Sequence, residues 1–508
     1  MNTKILDYFP PILISLYCSL FNKCLTAGLY PNALKKVKVQ PVYKGKGEMH
    51  VLKFFRPISQ IPITSKIFER LISDRLMRHL QDNALMNEQQ YAYQCGKSTV
   101  DAARDMLSRV MSHLEGRRQV AAIFCDLSRA FELVNHSLLL EKLKAYGVEG
   151  NFFSIVSEFL QNRQQCTSVR NIKSDLEYIG DSAVPQGSVM GNNLFLLLVN
   201  DLTTASDEAE YVLFADDGCV IVAADKFHEL KDKITKVMAS LANWFGANGM
   251  LLNVEKTNIM HFQRRRVRGH DLDVMCNGQP VPQVDQVKYL GFTVDSALTW
   301  SAHIDLACGR LASACFALSR LTPSLSLENL KKAYYGYFHS ILTYGIDVWG
   351  DAADAYKIFK KQKRAVRIIA GTPWDHHARD LFVKYKILTA PCLYILEVAK
   401  YARRNLNSLQ TIGDTHNINT RQRHRLCTPA RRLAKSDKTL GVLAPKVYNA
   451  LPSDIKSAPS DAVFIAKLKK LLVGNPVPAN PSILAVLIEN SLVLQTHSCN
   501  TANQFLQD

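Results

Sequence analysis

Five residues, Phe214-Ala215-Asp216-Asp217-Gly218, place two adjacent carboxylates between two apolar runs. Glu210 to Phe214 reads as one short strand and Cys219 to Ala223 as the next, because β-branched and aromatic runs bounded by turn residues favour extended chain. Asp217-Gly218 reads as a two-residue hairpin turn, since such turns need positive φ. Alone, the pair would be an ordinary solvated Asp-Gly turn. A second acid upstream changes that reading. Val120 to Cys125 is a continuous apolar run that ends at Asp126, the pattern of a strand buried on both faces. Ser128 to Tyr146 then reads as helical, with Leu139, Leu140, Leu143 and Tyr146 on one face. Asp126 is therefore either the N-cap of that helix or the remaining carboxylate of a site shared with the hairpin. Hard oxygen ligands of this kind suit Mg²⁺, which is held by one or two carboxylates together with waters and substrate phosphates. Two such ions about 3.5–4 Å apart activate an attacking hydroxyl and stabilise a leaving oxygen. That is the chemistry of phosphoryl or nucleotidyl transfer.

Between the acids lies Val184-Pro185-Gln186-Gly187-Ser188-Val189-Met190-Gly191, followed by the apolar, helix-like run Asn193 to Val199. Two glycines around a polar turn let backbone approach a ligand closely. The N-terminus of the following helix favours phosphate.

The order of these elements resembles the palm of reverse transcriptases, and more narrowly those of jockey-type non-LTR retrotransposons. Phe124-Cys125-Asp126 through Phe131 matches the first catalytic motif, Val184 to Gly191 the VPQGS turn, and Phe214 to Asp217 the FADD box. Leu252-Asn253-Val254-Glu255-Lys256-Thr257 and Tyr289-Leu290-Gly291-Phe292 match two later motifs. Upstream, Arg56-Pro57-Ile58-Ser59 and Lys66-Ile67-Phe68-Glu69-Arg70 resemble the fingers. The chain departs from the family pattern at Glu132, at Gly218 and in Gln90 to Thr99, where a Gly-Phe pair and an Arg are more usual. None of these departures removes a metal ligand.

The resemblance implies an α+β, right-hand polymerase fold: fingers, a palm with antiparallel sheet and helices, a helical thumb, and a mainly helical C-terminal region. The expected divisions are an N-terminal helical extension over 1–29, fingers and palm over 30–295, thumb over 296–375 and a basic C-terminal region over 376–508. Asp126 and Asp216 are the implied principal ligands of two Mg²⁺ ions, with Mn²⁺ as a substitute and Asp217 as a supporting acid. Lys256 is the motif lysine, assisting pyrophosphate departure or forming a surface salt bridge. Lys44 and Arg56 would meet the incoming triphosphate, and Gln186 and Gly187 the template base and nascent pair. Phe131 occupies the position where these polymerases set an aromatic ring against the sugar 2′ carbon, favouring dNTPs; alternatively it packs in the core.

The implied activity is an RNA-directed DNA polymerase that extends a DNA primer on an RNA template with dNTPs. The alternative is a domesticated, catalytically silent nucleic-acid-binding protein of maturase type. The resemblance also implies an intracellular setting, nucleus and cytoplasm, as for a retrotransposon ribonucleoprotein. No endonuclease pattern is legible before the polymerase motifs, so the sequence reads as a polymerase-bearing fragment or a decayed copy.

Composition agrees with a polyanionic partner. The 508 residues carry 62 Lys and Arg against 45 Asp and Glu, a net charge of +17, and 47% hydrophobic content supports full cores rather than a disordered regulator. The twelve cysteines include no CxxC pair, so they read as reduced core thiols rather than zinc ligands. Ile12 to Phe21 is too short to span a bilayer. It reads as a helix of the fingers, apolar at Ile12, Leu16, Leu20 and Phe21, and no membrane partner is expected. Lys360, Lys361, Lys363, Arg364 and Arg367 form a basic helix resembling the thumb, which tracks the primer–template backbone. Arg421, Arg423, Arg425, Arg431 and Arg432 form a second basic cluster suited to phosphates. Ala462 to Val473 reads as a short basic helix, and the proline-containing segment beyond it as loosely ordered.

Overall fold

The structure is a computed structural model that describes residues 10–45, 47–170, 172–263, 271–415 and 422–476. Arg421 and nearly all of the segment beyond Val473 lie outside the described residues. The chain divides into two compact units, one drawn from residues 1–102, 121–260 and 269–283, the other from 103–120, 261–268 and 284–508.

The first unit begins with helix α1 (Pro11–Ala27), strands β1 (Lys36–Tyr43) and β2 (Phe55–Gln60), helix α2 (Ile63–Asp82) and the start of α3 (Thr99–Glu115). It continues through β3 (Gln119–Cys125), β4 (Leu127–Ser128), α4 (His136–Ala145), α5 (Gly150–Leu160), β5 (Gln164–Val169), β6 (Ile172–Lys173) and β7 (Glu177–Tyr178). Then follow α6 (Val189–Leu198), β8 (Glu210–Phe214), β9 (Asp217–Ala224), α7 (Phe227–Ala247), β10 (Leu251–Leu252) and β11 (Asn258–Phe262).

A four-stranded sheet of order β11-β3-β9-β8 is the platform of this unit. Ala121, Ile123 and Cys125 of β3 enter one core with Val220 and Val222 of β9 and Tyr211 and Leu213 of β8. Phe68, Leu139, Phe195 and Leu241 from helices α2, α4, α6 and α7 complete that core. Val120 and Ala122 point to the other face and are equally buried, which is why β3 reads as an unbroken apolar run. Full burial of each Leu, Ile or Phe is worth roughly 1.5–3 kcal/mol, so this core fixes the sheet firmly.

Two local expectations change, and a third element gains detail. The hairpin register pairs Phe214 with Asp217, so the turn is Ala215-Asp216 and not Asp217-Gly218. Among its two central residues only Ala215 has positive φ, +54°, as in a turn of type II′. Asp217 is thereby the first residue of β9. The helix after Asp126 starts only at His136, capped by Asn135, whose side chain accepts from Leu138 N at 3.0 Å. Residues 127–128 are held extended by pairing with β10, and Arg129 at φ +53° turns the chain. Asp126 is therefore not a helix cap. Helix α1 buries Phe21 and Cys24 but exposes Ile12, Leu16 and Leu20. Phe21 stacks on Phe68 at 4.6 Å, and that contact sets the rotation of α1.

The second unit is mainly helical. A hairpin of Gln286–Tyr289 with Phe292–Asp295 precedes α8 (Ser301–Leu321), α9 (Leu327–Ala333), α10 (Ser340–Thr343), α11 (Ile346–Trp349), α12 (Ala355–Ala370), α13 (Arg379–Tyr385) and α14 (Ala390–Arg404). Between α9 and α10 the backbone takes a π-helical turn, Tyr334–His339. Tyr334, Phe338 and Leu342 are buried there, whereas Tyr337 and Tyr344 are exposed. Gln362 of α12 is fully buried and satisfied, donating to Tyr334 Oη and Leu388 O and accepting from Ala390 N. Helix Asp461–Gly474 covers the span expected for the basic C-terminal helix.

Candidate active site

All three carboxylates lie in the first unit, at neighbouring strand ends of one sheet. Asp126 follows the last residue of β3, Asp216 is the second residue of the β8–β9 turn, and Asp217 opens β9. The backbone of Asp126 is clamped by the Leu252 to Thr257 motif. Asn253 N donates to Asp126 O at 2.9 Å, and Asp126 N donates to the Oγ1 of fully buried Thr257 at 3.4 Å. Leu252 pairs with Leu127 across β10 and β4. The motif is thus a brace that fixes where β3 ends. Lys256 projects from the same brace, and its Nζ lies 3.3 Å from Asp126 Oδ2.

Asp216 and Asp217 are exposed, with protein packed close enough behind them to shift both carboxyls. Burial pushes the Asp216 carboxyl up, its own backbone N–H partly offsets this, the charge of Asp126 raises it again, and Arg56 lowers it. Burial together with the charges of Asp216 and Asp126 raises Asp217 to about 6. The two strand ends adjoin: a Cβ on Gly218, next to Asp217, would lie 3.6 Å from the Cβ of Cys125, next to Asp126. Among the described residues, no three His, Cys, Asp or Glu side chains are already gathered closely enough to hold an ion by themselves. An open set of hard-oxygen donors that repel one another fits Mg²⁺, which keeps waters and takes substrate phosphates as ligands instead of an all-protein cage. Asp126, Asp216 and Asp217 are the residues that could hold it.

The raised Asp217 pKa has a direction that can be measured. Between about 3.8 and about 6 the folded protein holds a proton that the unfolded chain has released. Stability from this group is therefore present at acid pH and lost as pH rises through about 6. An ion on Asp217 must displace that proton, so Mn²⁺ affinity should fall about tenfold from pH 7 to pH 5. Isothermal titration across that range checks it; a pH-independent affinity would remove Asp217 from the donor set.

The Gln186-Gly187 turn is fastened to β2. Ser59 N donates to Gln186 O at 2.8 Å, and Gly187 stands at φ +109°, where a Cβ would come within 3.0 Å of Ser59 O. Only glycine fits that backbone. Beyond it, Ser188 caps α6 and accepts from Gly191 N at 2.8 Å. The anion at this helix N-terminus is the chain's own Glu69 and not a phosphate. Its Oε2 accepts from Ser188 Oγ at 2.8 Å and from Val189 N at 2.9 Å, while Oε1 accepts from Ser65 Oγ at 2.9 Å. Glu69 is completely buried. The sequence reading missed this role, although Glu69 sits in one of the motifs carrying the resemblance.

The remaining site candidates are distributed as follows. Phe131 is half-buried, its ring stacked on Phe195 of α6 at 4.9 Å. Arg56 is exposed on β2, and Lys44 Nζ bonds Lys53 O at 2.7 Å. In the second unit, Lys360 and Arg364 are exposed on α12, Lys361 and Lys363 are half-buried, and Arg367 Nε bonds His376 O at 2.7 Å. Arg423, Arg425 and Arg431 are exposed. Arg432 is committed to the C-terminus of α3: its guanidinium donates to Leu114 O at 2.8 Å and to Glu115 O at 2.9 Å. A cation at a helix C-terminus is a structural use.

Residues 43–294 match the family described as reverse transcriptase (RNA-dependent DNA polymerase). The chain carries a reverse transcriptase domain. That span contains the whole carboxylate site, and the reverse transcriptase family generally uses divalent metal ions. The described residues of that span are mixed helix and sheet. The chain is 26% identical over 377 residues to the probable RNA-directed DNA polymerase from transposon BS of Drosophila melanogaster, covering 72% of this chain and 41% of that protein. It is 26% identical to the RNA-directed DNA polymerase from mobile element jockey of the same organism, covering 75% of this chain and 42% of that protein. The chain thus spans less than half the length of these curated relatives. A solved telomerase from Candida tropicalis, in complex with a fragment of telomeric RNA, aligns with 76% of this chain and 65% of that one, at 12% identity and a TM-score of 0.39.

Proposed function

We propose that this chain is an RNA-directed DNA polymerase of a non-LTR retrotransposon, extending a DNA primer on an RNA template by nucleotidyl transfer. The observation that carries the reading is three mutually repelling carboxylates on neighbouring strand ends of a reverse transcriptase domain. Two Mg²⁺ ions bound there would supply activation of the primer 3′-hydroxyl and charge neutralisation of the dNTP phosphates. Asp126 and Asp216 are the main oxygen donors, with Asp217 in support. Lys256, already beside Asp126, is placed to offset negative charge as pyrophosphate leaves. Arg56, which feels the charge of Asp216, is placed for the triphosphate, with Lys44 further along the same hairpin. The glycine at 187 lets the template base and nascent pair approach backbone beside Gln186. RNA-templated extension of a DNA primer by the purified chain, with dNTPs and Mg²⁺, tests the reading; binding of nucleic acid without extension would favour a catalytically silent protein.

Phe131 is the proposed sugar gate. One face of its ring is fixed by Phe195, so the ring is held rather than free to swing. Phe131→Ala should raise rNTP incorporation relative to dNTP by roughly tenfold or more, within the range that a lost steric contact supplies. Competition between the two nucleotides measures it, and unchanged selectivity returns Phe131 to a packing role.

The basic residues of the second unit are proposed to follow phosphates. Replacing Arg423, Arg425 and Arg431 together with Ala should flatten the dependence of log K on log salt by about 0.7–0.9 for each lost contact. Selectivity among sequences should hold, because phosphate contacts carry no base information. Arg432→Ala, by contrast, should lower stability and leave the slope alone. Identical slopes for the triple variant and its parent would place these arginines in solvent.

A further inference from the structure

Gln90 lies outside the matched catalytic motifs, yet it is tied directly to the Asp216 turn. The segment Gln89 to Tyr91 runs along the free edge of β8. Leu213 N donates to Gln89 O at 2.9 Å and Tyr91 N to Leu213 O at 2.8 Å, so Gln90 lies in parallel register with Leu213. The Gln90 side chain is buried. Its Oε1 accepts from Ala92 N at 3.0 Å and from Ala215 N at 3.1 Å. Both partners are backbone donors, so the orientation of the amide is settled by the network. Lys97 holds the same segment from outside, its Nζ donating to Gln90 O at 3.0 Å.

Two features single this contact out. The residue whose N–H is held, Ala215, stands at φ +54°, a left-handed conformation that residues other than glycine disfavour. Without an anchor, such a turn relaxes, and Asp216 is its next residue. The other feature is the amide nitrogen of Gln90, which is buried with no hydrogen-bond partner. A leucine would fill this space without stranding a donor, so packing alone gives no reason for an amide here. The oxygen accounts for it.

We propose that Gln90 is a positioning residue of the polymerase site, its carboxamide oxygen holding the Ala215-Asp216 turn in the form that keeps Asp216 beside Asp126. The inference rests on the polymerase reading above. It adds a support for Asp216 that is distant in sequence and independent of the brace on Asp126. Each acid is then fixed through backbone by a different segment, Asp126 by Asn253 and Thr257, and Asp216 by Gln90. Residues that orient metal-binding groups without touching the ion commonly matter about 10–100-fold in affinity or rate.

The test uses the full chain with Gln90→Leu, which keeps volume and removes the acceptor, and Gln90→Glu, which keeps an acceptor. Hydrogen exchange at the Ala215 amide is read without metal, Mn²⁺ binding without nucleic acid, and primer extension under both saturating and limiting dNTP. Gln90→Leu is expected to deprotect the Ala215 amide selectively, weaken Mn²⁺ binding by about 10–100-fold and lower kcat by a similar factor, with KM for dNTP changed little. Gln90→Glu is expected to restore protection of that amide. If Gln90→Leu only lowers the melting temperature, with parental Mn²⁺ affinity and kcat, Gln90 is a structural residue and the proposal is overturned. A parent whose Mn²⁺ binding is unaffected by Asp216→Asn overturns the site reading itself, a result distinct from the first because the amide-exchange comparison needs no metal.

Discussion

Asp216→Asn is expected to lower primer extension by at least about 10³-fold while leaving the fold intact. The side chain lies at a hairpin turn, touches solvent and makes no core contact, so its replacement costs little packing. Its charge is what burial and Asp126 already oppose, so removing that charge should hold or slightly raise the melting temperature at neutral pH. Asp126→Asn should be similarly inactive and also release Lys256 from its ion pair. Single-turnover extension together with thermal melting separates lost chemistry from lost fold. Extension by Asp216→Asn near the parental rate would sink the carboxylate assignment.

Glu69→Ala is expected to produce the largest loss of stability, about 3–5 kcal/mol, because it strips the anion from a buried helix terminus. Ser188 Oγ, Val189 N and Ser65 Oγ would all lose the Glu69 carboxylate as acceptor. Tyr30, bonded to Ser65 at 2.8 Å, would be disturbed next. The Gln186-Gly187 turn leads straight into this terminus, so activity should fall along with stability. Glu69→Gln should lose about half as much, since one oxygen remains but an amide donor now faces donors. Arg70→Ala is the control: its exposed i,i+4 pair with Asp74 is worth at most about 0.5 kcal/mol. Urea unfolding compares the three. A Glu69→Ala loss below about 1 kcal/mol would mean that α6 is held by packing alone.

Several elements were legible in the sequence because their periodicity has a single solution. The unbroken apolar run of β3 could only be a strand covered on both faces, and its end at Asp126 marked the site. The two strands around Asp216 and Asp217 were equally plain. The turn between them was misplaced by two residues. Asp-Gly is the stronger turn signal locally, but the register that pairs Phe214 with Asp217 belongs to the two strands as a whole and not to the turn residues. The helix after Asp126 was begun too early for a related reason. Leu127 and Ser128 are held extended by a partner strand more than a hundred residues away, and an apolar helical period does not reveal that pairing. The helix α1 was legible, but not which of its apolar residues would be buried: Phe21 stacks on Phe68 while Ile12, Leu16 and Leu20 stay exposed.

The sequence by itself determined the reverse transcriptase motifs, the three acids and the order in which the chain presents them. Those follow from residue type and spacing, which are local. Tertiary structure decided which groups hold the acids in place. Thr257 and Asn253 brace Asp126, Glu69 fills the helix terminus behind Gly187, and Gln90 anchors the Asp216 turn. Each support joins residues far apart in sequence through a single backbone hydrogen bond or a buried carboxylate. Such contacts leave no periodicity, because a polar side chain at the edge of an element looks the same whether it meets water or a distant backbone amide. Burial is what separates the two cases, and burial is a property of the folded chain.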